Sequence, residues 1–394
     1  VYTRNDFYRH RFNQAGVHPD DIRVVEDVAK LPVLTKDEIR LYRQGMISRG
    51  YTVERLLKAK TGGSTGKALE LYMTEECSEL RNACARRHDR WSGWNPGEPI
   101  GAVWGNPVRA VTMKAKLRDW LLNPMIYLDT MQVTDESVRR FARDWSKLRP
   151  TLLYGHAHSL FILAEYIQRL GIDTIRPRGI LSTSMMLMPH ERRAIEKVFG
   201  IPVTDRYGCE EVSLIGSECE YHKGMHLNIE HLYIEFINEG GSPAGPGEMG
   251  TIVVTDLMNK AMPFIRYRVE DMGVPASGQC ACGRGLPLMD RVVGRTADFL
   301  VRRDGARVAG VSLIENTLTK IPGIYQMQIV QEKIDCIVLN VVPGAGYGFA
   351  AAKELIDYFQ GQFPGAFVEL KTMDRMVPEA SGKYRFSICR VEGV

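Results

Sequence analysis

The sequence predicts an α/β protein: a large N-terminal domain with mostly parallel sheets and a β-rich subdomain, followed by a small α+β C-terminal domain. Three patterns predict it. Between Ile100 and Tyr207, short apolar runs alternate with stretches of helical periodicity. That order implies crossover connections and a sheet covered on both faces. Past Gly216, apolar and polar residues alternate and turn-rich segments join the runs, as in antiparallel strands. A third shift, near Gly294, opens about 100 residues of compact α+β, long enough to fold as a domain. The domain boundary is therefore expected at 294/295. At 394 residues the chain has room for two or three domains.

The elements follow in order. Residues 5–60 read as helical and polar, with a break at Leu31-Pro32 and a helix start at Thr35. Glu38, three residues on, completes a capping box. Residues 68–73 read as a strand and 74–91 as a helix capped by Thr74. Its basic end, Arg86-Arg87-His88, suits a helix C-terminus, with His88 on the surface. Strands are expected at 100–105, 151–155, 179–184 and 201–207, separated by helices at 133–148, 160–170 and 189–199. Ligands of such sheets sit at the carboxyl ends of strands, which would gather Tyr154, Ser184 and Tyr207 at one edge. Antiparallel strands are expected at 231–237 and 250–254. The last domain should hold a hairpin at 302–305, helices at 312–319 and 350–359, and strands at 326–330, 336–342 and 367–372.

Composition excludes several classes. The chain is 44% hydrophobic and 25% charged, with a net charge of +4, small for its length. Neither nucleic acid nor an anionic membrane is expected as a partner. No apolar run reaches the roughly 18 residues of a membrane span, and no secretory leader is read. Eight cysteines in a chain this long do not make a disulfide scaffold. A reducing cytoplasm with free thiols, some on metal, is the expectation.

Five segments carry chemistry. The first runs from Lys60 through Thr61, Gly62, Gly63, Ser64, Thr65 and Gly66 to Lys67. Its glycines let backbone N–H groups approach anionic oxygen, and Lys67 adds a point charge. It departs from the P-loop pattern, since Thr61 and Ala68 stand where Gly and Ser/Thr are required. The second, Asp205-Arg206-Tyr207-Gly208-Cys209-Glu210-Glu211, reads as a strand ending in a tyrosine, a glycine turn and two carboxylates. An aromatic there can stack on a base, and a carboxylate can hold Mg²⁺ beside phosphates. The third, from Pro263 to Gly273, presents Asp271 on a turn after a strand, where it could bind a ribose diol. The fourth is Asp290 to Asp298, containing Gly294-Arg295. The fifth, Ala380-Ser381-Gly382-Lys383-Tyr384-Arg385, puts a lysine on a glycine turn.

In this order and at these spacings the set resembles the adenylate-forming (AMP-forming acyl-CoA synthetase) superfamily, in its phenylacetate–CoA ligase and CapK-like branch. The resemblance runs from about Tyr8, through Asp20-Asp21-Ile22 and Leu31-Pro32, to Arg390. It implies an ATP-dependent ligase that converts a carboxylic acid to an acyl-adenylate and passes the acyl group to coenzyme A. Thr61 to Lys67 would be the phosphate loop, Glu211 the magnesium carboxylate, Tyr207 the adenine neighbour and Asp271 the ribose ligand. Ser184, Asp205, Gly208, Glu210 and Arg295 would complete the ATP/AMP site. Lys383 would be the catalytic lysine, carried by a mobile C-terminal lid that turns about a hinge after Arg295. The hinge aspartate stands one place late, so the hinge is Ala297 or Asp298. Met185-Met186-Leu187-Met188 lacks the family's glutamate after Ser184, and Val-Glu replaces Thr-Gly before Asp271. A carrier-protein thiol, an amine or a small nucleophile is the alternative acceptor, and a homodimer is compatible with the sequence.

Two further groups stand apart. Cys219, His226, Cys280 and Cys282 offer the four soft ligands a structural zinc ion takes, with His222 a rival for His226. Similar cysteines recur in the branch the chain resembles. Cys209 reads as packing. Trp104, Tyr154 and His156 lie on the presumed ligand edge and would line a slot for an aromatic acid. The two larger rings could equally be core, and His156 could orient the carboxylate or cap the next helix.

Overall fold

The computed structural model describes residues 1–60, 69–104, 113, 124–130, 133–295, 299–377 and 384–391. Helices α1 (Asp6–Gln14) and α2 (Lys36–Tyr42) precede strands β1 (Leu57–Lys60) and β2 (Glu70–Met73) and helix α3 (Glu75–Asp89). The alternating stretch runs β3 (Ile100–Trp104), β4 (Met125–Asp129), α4 (Asp135–Leu148), β5 (Leu152–His156), α5 (Ala157–Leu170), β6 (Gly179–Thr183), α6 (Pro189–Phe199) and β7 (Val203–Cys209). Next come β8 (Ser213–Glu218), β9 (Met225–Leu227), β10 (Leu232–Ile237), β11 (Gly250–Asp256), β12 (Tyr267–Pro275) and β13 (Leu288–Arg295). The last stretch holds β14 (Phe299–Val301), β15 (Arg307–Ala309), α7 (Gly310–Lys320), β16 (Ile324–Lys333), β17 (Cys336–Pro343), α8 (Phe349–Gln362), β18 (Phe367–Thr372) and β19 (Ser387–Cys389). This is the α/β class expected. Among the described residues no helix is long and apolar enough to cross a membrane.

The chain divides into two compact units, Val1–Trp91 with Arg206–Val292, and Ser92–Asp205 with Val293–Val394. In the first, the strands lie in the order β10-β11-β12-β13-β9-β8-β7, with β1 and β2 as a separate antiparallel pair. Tyr8, Leu34, Leu71, Val212, Ile252, Phe264 and Tyr267 share its core. The N-terminal arm is stitched into that core. Tyr8 donates to the Pro263 carbonyl at 2.8 Å, and Leu34 exchanges backbone bonds of 2.9 Å with Arg266 and Arg268. Residues 5–60 are thus less helical than expected: α1, α2 and short turns, ending in β1. Burial of Tyr8, Phe12 and Ile39 onto the sheet, rather than helix propensity, orders them. The capping box read at Thr35 is borne out, and Thr74 caps α3 as expected, accepting from the Cys77 amide. His88 is fully buried, not a surface residue. It falls on the same α3 stripe as Cys77, Arg81 and Cys84, which faces the interior.

In the second unit β6-β5-β3-β4 form a parallel sheet with a core of Val103, Leu128, Phe141, Trp145, Leu153 and Leu160. A four-stranded sheet, β18-β17-β16-β19, packs on α8 through Leu339, Leu355 and Phe359. Strands β16 and β17 are antiparallel, while β18 and β19 join in parallel. A buried polar chain crosses this unit. His158 of α5 donates from Nδ1 to Glu191, and its Nε2 accepts from the Gln326 amide of β16 at 2.8 Å. Tyr154 and Tyr207 do not end their strands as expected. Each precedes a glycine through which the strand continues, because the neighbouring backbone comes too close for a Cβ. A Cβ at Gly155 would meet the Val103 carbonyl at 2.7 Å, and one at Gly208 the Ser213 carbonyl at 2.5 Å.

Candidate active site

The geometry centres on Glu211, in the first unit. Strand β7 ends at Cys209, Glu210 is exposed on the turn, and Glu211 folds back to 4% exposure. Burying an ionised carboxylate requires partners. The Tyr267 hydroxyl, at the start of β12, donates to Glu211 Oε1 at 2.8 Å, and the Lys36 ammonium lies 3.5 Å from the same oxygen. Burial and the nearby Glu211 charge push the Tyr267 phenol far above its ordinary value, so it serves as a neutral donor. Burial first, and Glu211 second, likewise keep the Cys209 thiol protonated, in line with a packing role.

Tyr207 and Asp271, which stand 64 positions apart, meet here: the Tyr207 hydroxyl donates to Asp271 Oδ2 at 2.7 Å. Asp271 sits within β12, not on a turn after a strand. Pairing jumps from Val253–Arg268 to Thr251–Met272, so Val269, Glu270 and Asp271 oppose Ile252 alone. Glu270 takes the left-handed conformation, φ 73°. Such a bulge re-aims a side chain without ending the strand, and alternating hydrophobicity does not reveal it.

Arg81 of α3 supports the acid from behind. It donates to the Glu211 carbonyl at 2.9 Å and pairs with Asp256, both side chains being almost fully buried. Asp256 Oδ1 in turn accepts from the Met258 and Asn259 amides. Removing one partner of such a pair strands the other charge. Arg81→Met should cost about 3–5 kcal/mol of stability, read from denaturant titration. A midpoint within error of the parent chain would show the pair to be dispensable.

Lys36, Tyr267 and Arg81 were not among the residues singled out from sequence. Lys36 was legible only as the first residue after an N-cap. Tyr267 lay inside the third segment, unmarked beside Asp271.

The second unit holds Trp104, Tyr154 and His156. The Trp104 and Tyr154 rings stack at 5.4 Å with a 12° interplanar angle, and the His156 ring lies 3.8 Å from Trp104. Both larger rings are half-buried, Tyr154 packing against the Trp94, Leu152 and Leu181 cluster, whereas His156 is fully buried. His156 occupies the N-cap position of α5 but makes no side-chain cap bond. Ser184 follows the end of β6 in the left-handed conformation, φ 64°, exposed. A non-glycine residue held there is strained, and such strain concentrates at binding sites. Asp205 lies on β7 and Arg295 ends β13. Thr61 to Lys67, the hinge candidates Ala297 and Asp298, and Lys383 lie outside the described residues.

The cysteine cluster forms in the first unit. One ligand atom each of Cys219, His226, Cys280 and Cys282 lies within 4.8 Å of the others. Cys219 Sγ is 3.6 Å from Cys280 Sγ, and Cys282 Sγ is 3.4 Å from His226 Nε2. Two thiolates on a tetrahedral zinc stand about 3.8 Å apart, given Zn–S of about 2.3 Å, so the donors fit that ion. His222 turns away, with Nδ1 3.1 Å from Glu218. All eight cysteines are free, so no disulfide competes for the set. Burial pushes the Cys219 thiol up to about 12. Burial opposes the Cys282 thiolate too, but the Arg284 amide and guanidinium outweigh it and hold that thiol below its ordinary value. The Arg284 guanidinium also covers the Trp91 ring at 4.5 Å. Neighbouring His88 is pushed down to about 3 by burial and then by Arg87, which keeps it neutral.

The CapK C-terminal domain family matches residues 300–390. The chain is 28% identical over 345 residues to a phenylacetate–coenzyme A ligase of Escherichia coli (strain K12), covering 84% of this chain and 76% of that protein. It is 24% identical over 351 residues to Protein CapK of Staphylococcus aureus, covering 87% and 75%. The crystal structure of a 2-hydroxyisobutyryl-CoA ligase in its postadenylation state, in complex with R3-HIB-AMP, superposes with a TM-score of 0.77 at 20% identity, covering 98% of this chain and 86% of that one. Along most of its length this chain is similar to the phenylacetate–CoA ligases and CapK, and its fold is that of the adenylate-forming CoA ligases. Tyr207 meets Asp271, and Tyr267 holds Glu211, within the same unit.

Proposed function

We propose that this protein activates a carboxylic acid with ATP, forming an acyl-adenylate and pyrophosphate, and then transfers the acyl group to the thiol of coenzyme A. The observation that carries this reading is the convergence of Tyr207, Glu211 and Asp271 in one unit. The relatives named phenylacetate–coenzyme A ligase support it. In this reading Asp271, oriented by the Tyr207 hydroxyl, binds the ribose diol, and Tyr207 flanks the adenine. Ser184, Asp205, Gly208, Glu210 and Arg295 contribute to the nucleotide site, and Thr61 to Lys67 cradle the phosphates. Glu211 would hold Mg²⁺, since a buried carboxylate is a hard oxygen donor of the kind that ion prefers. Magnesium would supply neutralisation of phosphate charge. Residues 295–394 act as a mobile lid that carries Lys383 to the reacting phosphorus. Closure keeps water from the mixed anhydride. Zinc at Cys219, His226, Cys280 and Cys282 is structural, since four protein ligands leave no open position.

The acid is aromatic in this reading, because Trp104 and Tyr154 present a stacked, half-buried pair beside His156. ATP–pyrophosphate exchange with a panel of aryl, arylalkyl and aliphatic acids tests it. Exchange should be fastest with an aryl or arylalkyl acid. No exchange with any acid, in folded protein that does not bind ATP, would overturn the reading. Product masses with coenzyme A, a carrier-protein thiol or an amine as acceptor would decide the second step.

A further inference from the structure

Lys36 is placed by backbone geometry rather than by chance. The bonds of Leu34 to Arg266 and Arg268 align residues 34–36 with the start of β12, where Tyr267 holds Glu211. Thr35 caps α2 through the Glu38 amide at 3.3 Å, which makes Lys36 the first helical residue and turns it toward the acid. Its ammonium stands 3.5 Å from Glu211 and 3.4 Å from Glu270, with the side chain 21% exposed. A cation at a helix N-terminus opposes the helix dipole. The position makes electrostatic sense through the two carboxylates it faces.

We infer that Lys36 is the resident counter-cation of Glu211. Its ammonium balances the buried carboxylate while no metal is bound, and a divalent cation must displace it to reach the same oxygen. Lys36 is thus a positioning residue that sets how tightly the metal binds. This rests on the reading of Glu211 as the metal carboxylate. Hard carboxylate oxygens facing one ammonium, on Glu211 and Glu270, are chemically suited to Mg²⁺ or Mn²⁺.

The test is Mn²⁺ binding to the full chain, followed by electron paramagnetic resonance in the presence of a non-hydrolysable ATP analogue. Lys36→Met should tighten Mn²⁺ binding by about 5- to 10-fold, the lower range of coupling between two mutually exclusive ligands. Lys36→Arg should bind Mn²⁺ as the parent does. The thermal stabilisation produced by Mn²⁺ should also be larger in Lys36→Met than in the parent. A merely structural lysine would lower the melting temperature equally with and without metal. If Lys36→Met does not fold, Lys36→Gln keeps a polar tip on this partly exposed side chain and carries the same expectation. Unchanged or weaker Mn²⁺ binding in Lys36→Met and Lys36→Gln overturns the inference. Glu211→Gln separates the two layers. If it binds Mn²⁺ like the parent, the metal-carboxylate reading falls. If it loses Mn²⁺ while Lys36→Met is unchanged, only the counter-cation role falls.

Discussion

A Lys383→Ala variant is expected to form acyl-adenylate roughly 10²–10³-fold more slowly, the usual effect of removing one preorganised charge from a transition state. Attack of a carboxylate on the α-phosphorus builds negative charge on oxygens that already carry it. Phosphoryl chemistry of this kind gains little from acid–base groups and much from positioned cations. Lys383 is the lysine of the fifth segment, and Tyr384, next in sequence, packs edge-on against His158 at 4.6 Å. The second half-reaction, thiol attack on a supplied acyl-adenylate, has no such charge to stabilise at phosphorus and should survive within a few-fold. Pyrophosphate exchange and thioester formation from a synthetic acyl-adenylate, measured on the same preparation, check both halves. Equal loss in the two would assign Lys383 to folding, and unchanged exchange would remove it from the chemistry.

The second large effect concerns the cysteine cluster. Elemental analysis of the purified chain is expected to find about one zinc per molecule, bound by four donors. Stripping it with a strong chelator, or replacing Cys280 with serine, should cost about 4 kcal/mol if the metal is present at roughly a thousand times its dissociation constant. In a unit of this size that is about 10 °C in melting temperature. Without a cation, three thiols and an imidazole share a sphere of 4.8 Å, and the thiols cannot ionise together. Restoring Zn²⁺ should recover the midpoint in the chelated parent and not in Cys280→Ser. A metal-free protein with an unchanged midpoint would show that the donors meet for packing alone.

Much of the fold was legible because its signals are local. Helix α6 begins and ends where Pro189 and Gly200 place it, and β18 has the bounds expected of it. Helix α5 starts at Ala157, earlier than expected, because His156 and Ala157 are buried along with the rest of that apolar helix. Strands β4, β8, β9 and β19 carried no local signature, since their order comes from neighbours rather than from their own pattern. The same divide runs through the site. Glu211, Tyr207 and Asp271 stood out as residue types in short segments. Their mutual geometry did not, because it depends on a bulge in β12 and on Gly208 continuing β7. Lys36 and Tyr267 were hidden for the same reason: what gives each its role is a partner some 180 or 60 positions away, and no periodicity reports that. The cysteines were the exception, since soft-ligand chemistry names its own partners.

The stitching of the N-terminal arm to the segment around Arg266 sets a limit on how this enzyme can be dissected. The Arg266 guanidinium donates to the Ala29 and Leu31 carbonyls, and the Tyr8 hydroxyl both gives to Pro263 and takes from the Ile265 amide. A chain begun after Lys36 would keep all five chemistry-bearing segments. It would nonetheless expose the underside of β12 and leave the acid at position 211 without its ammonium neighbour. Recognisable motifs therefore do not mark out the smallest folded piece: the arm that looks most dispensable on paper is part of the core that holds Glu211.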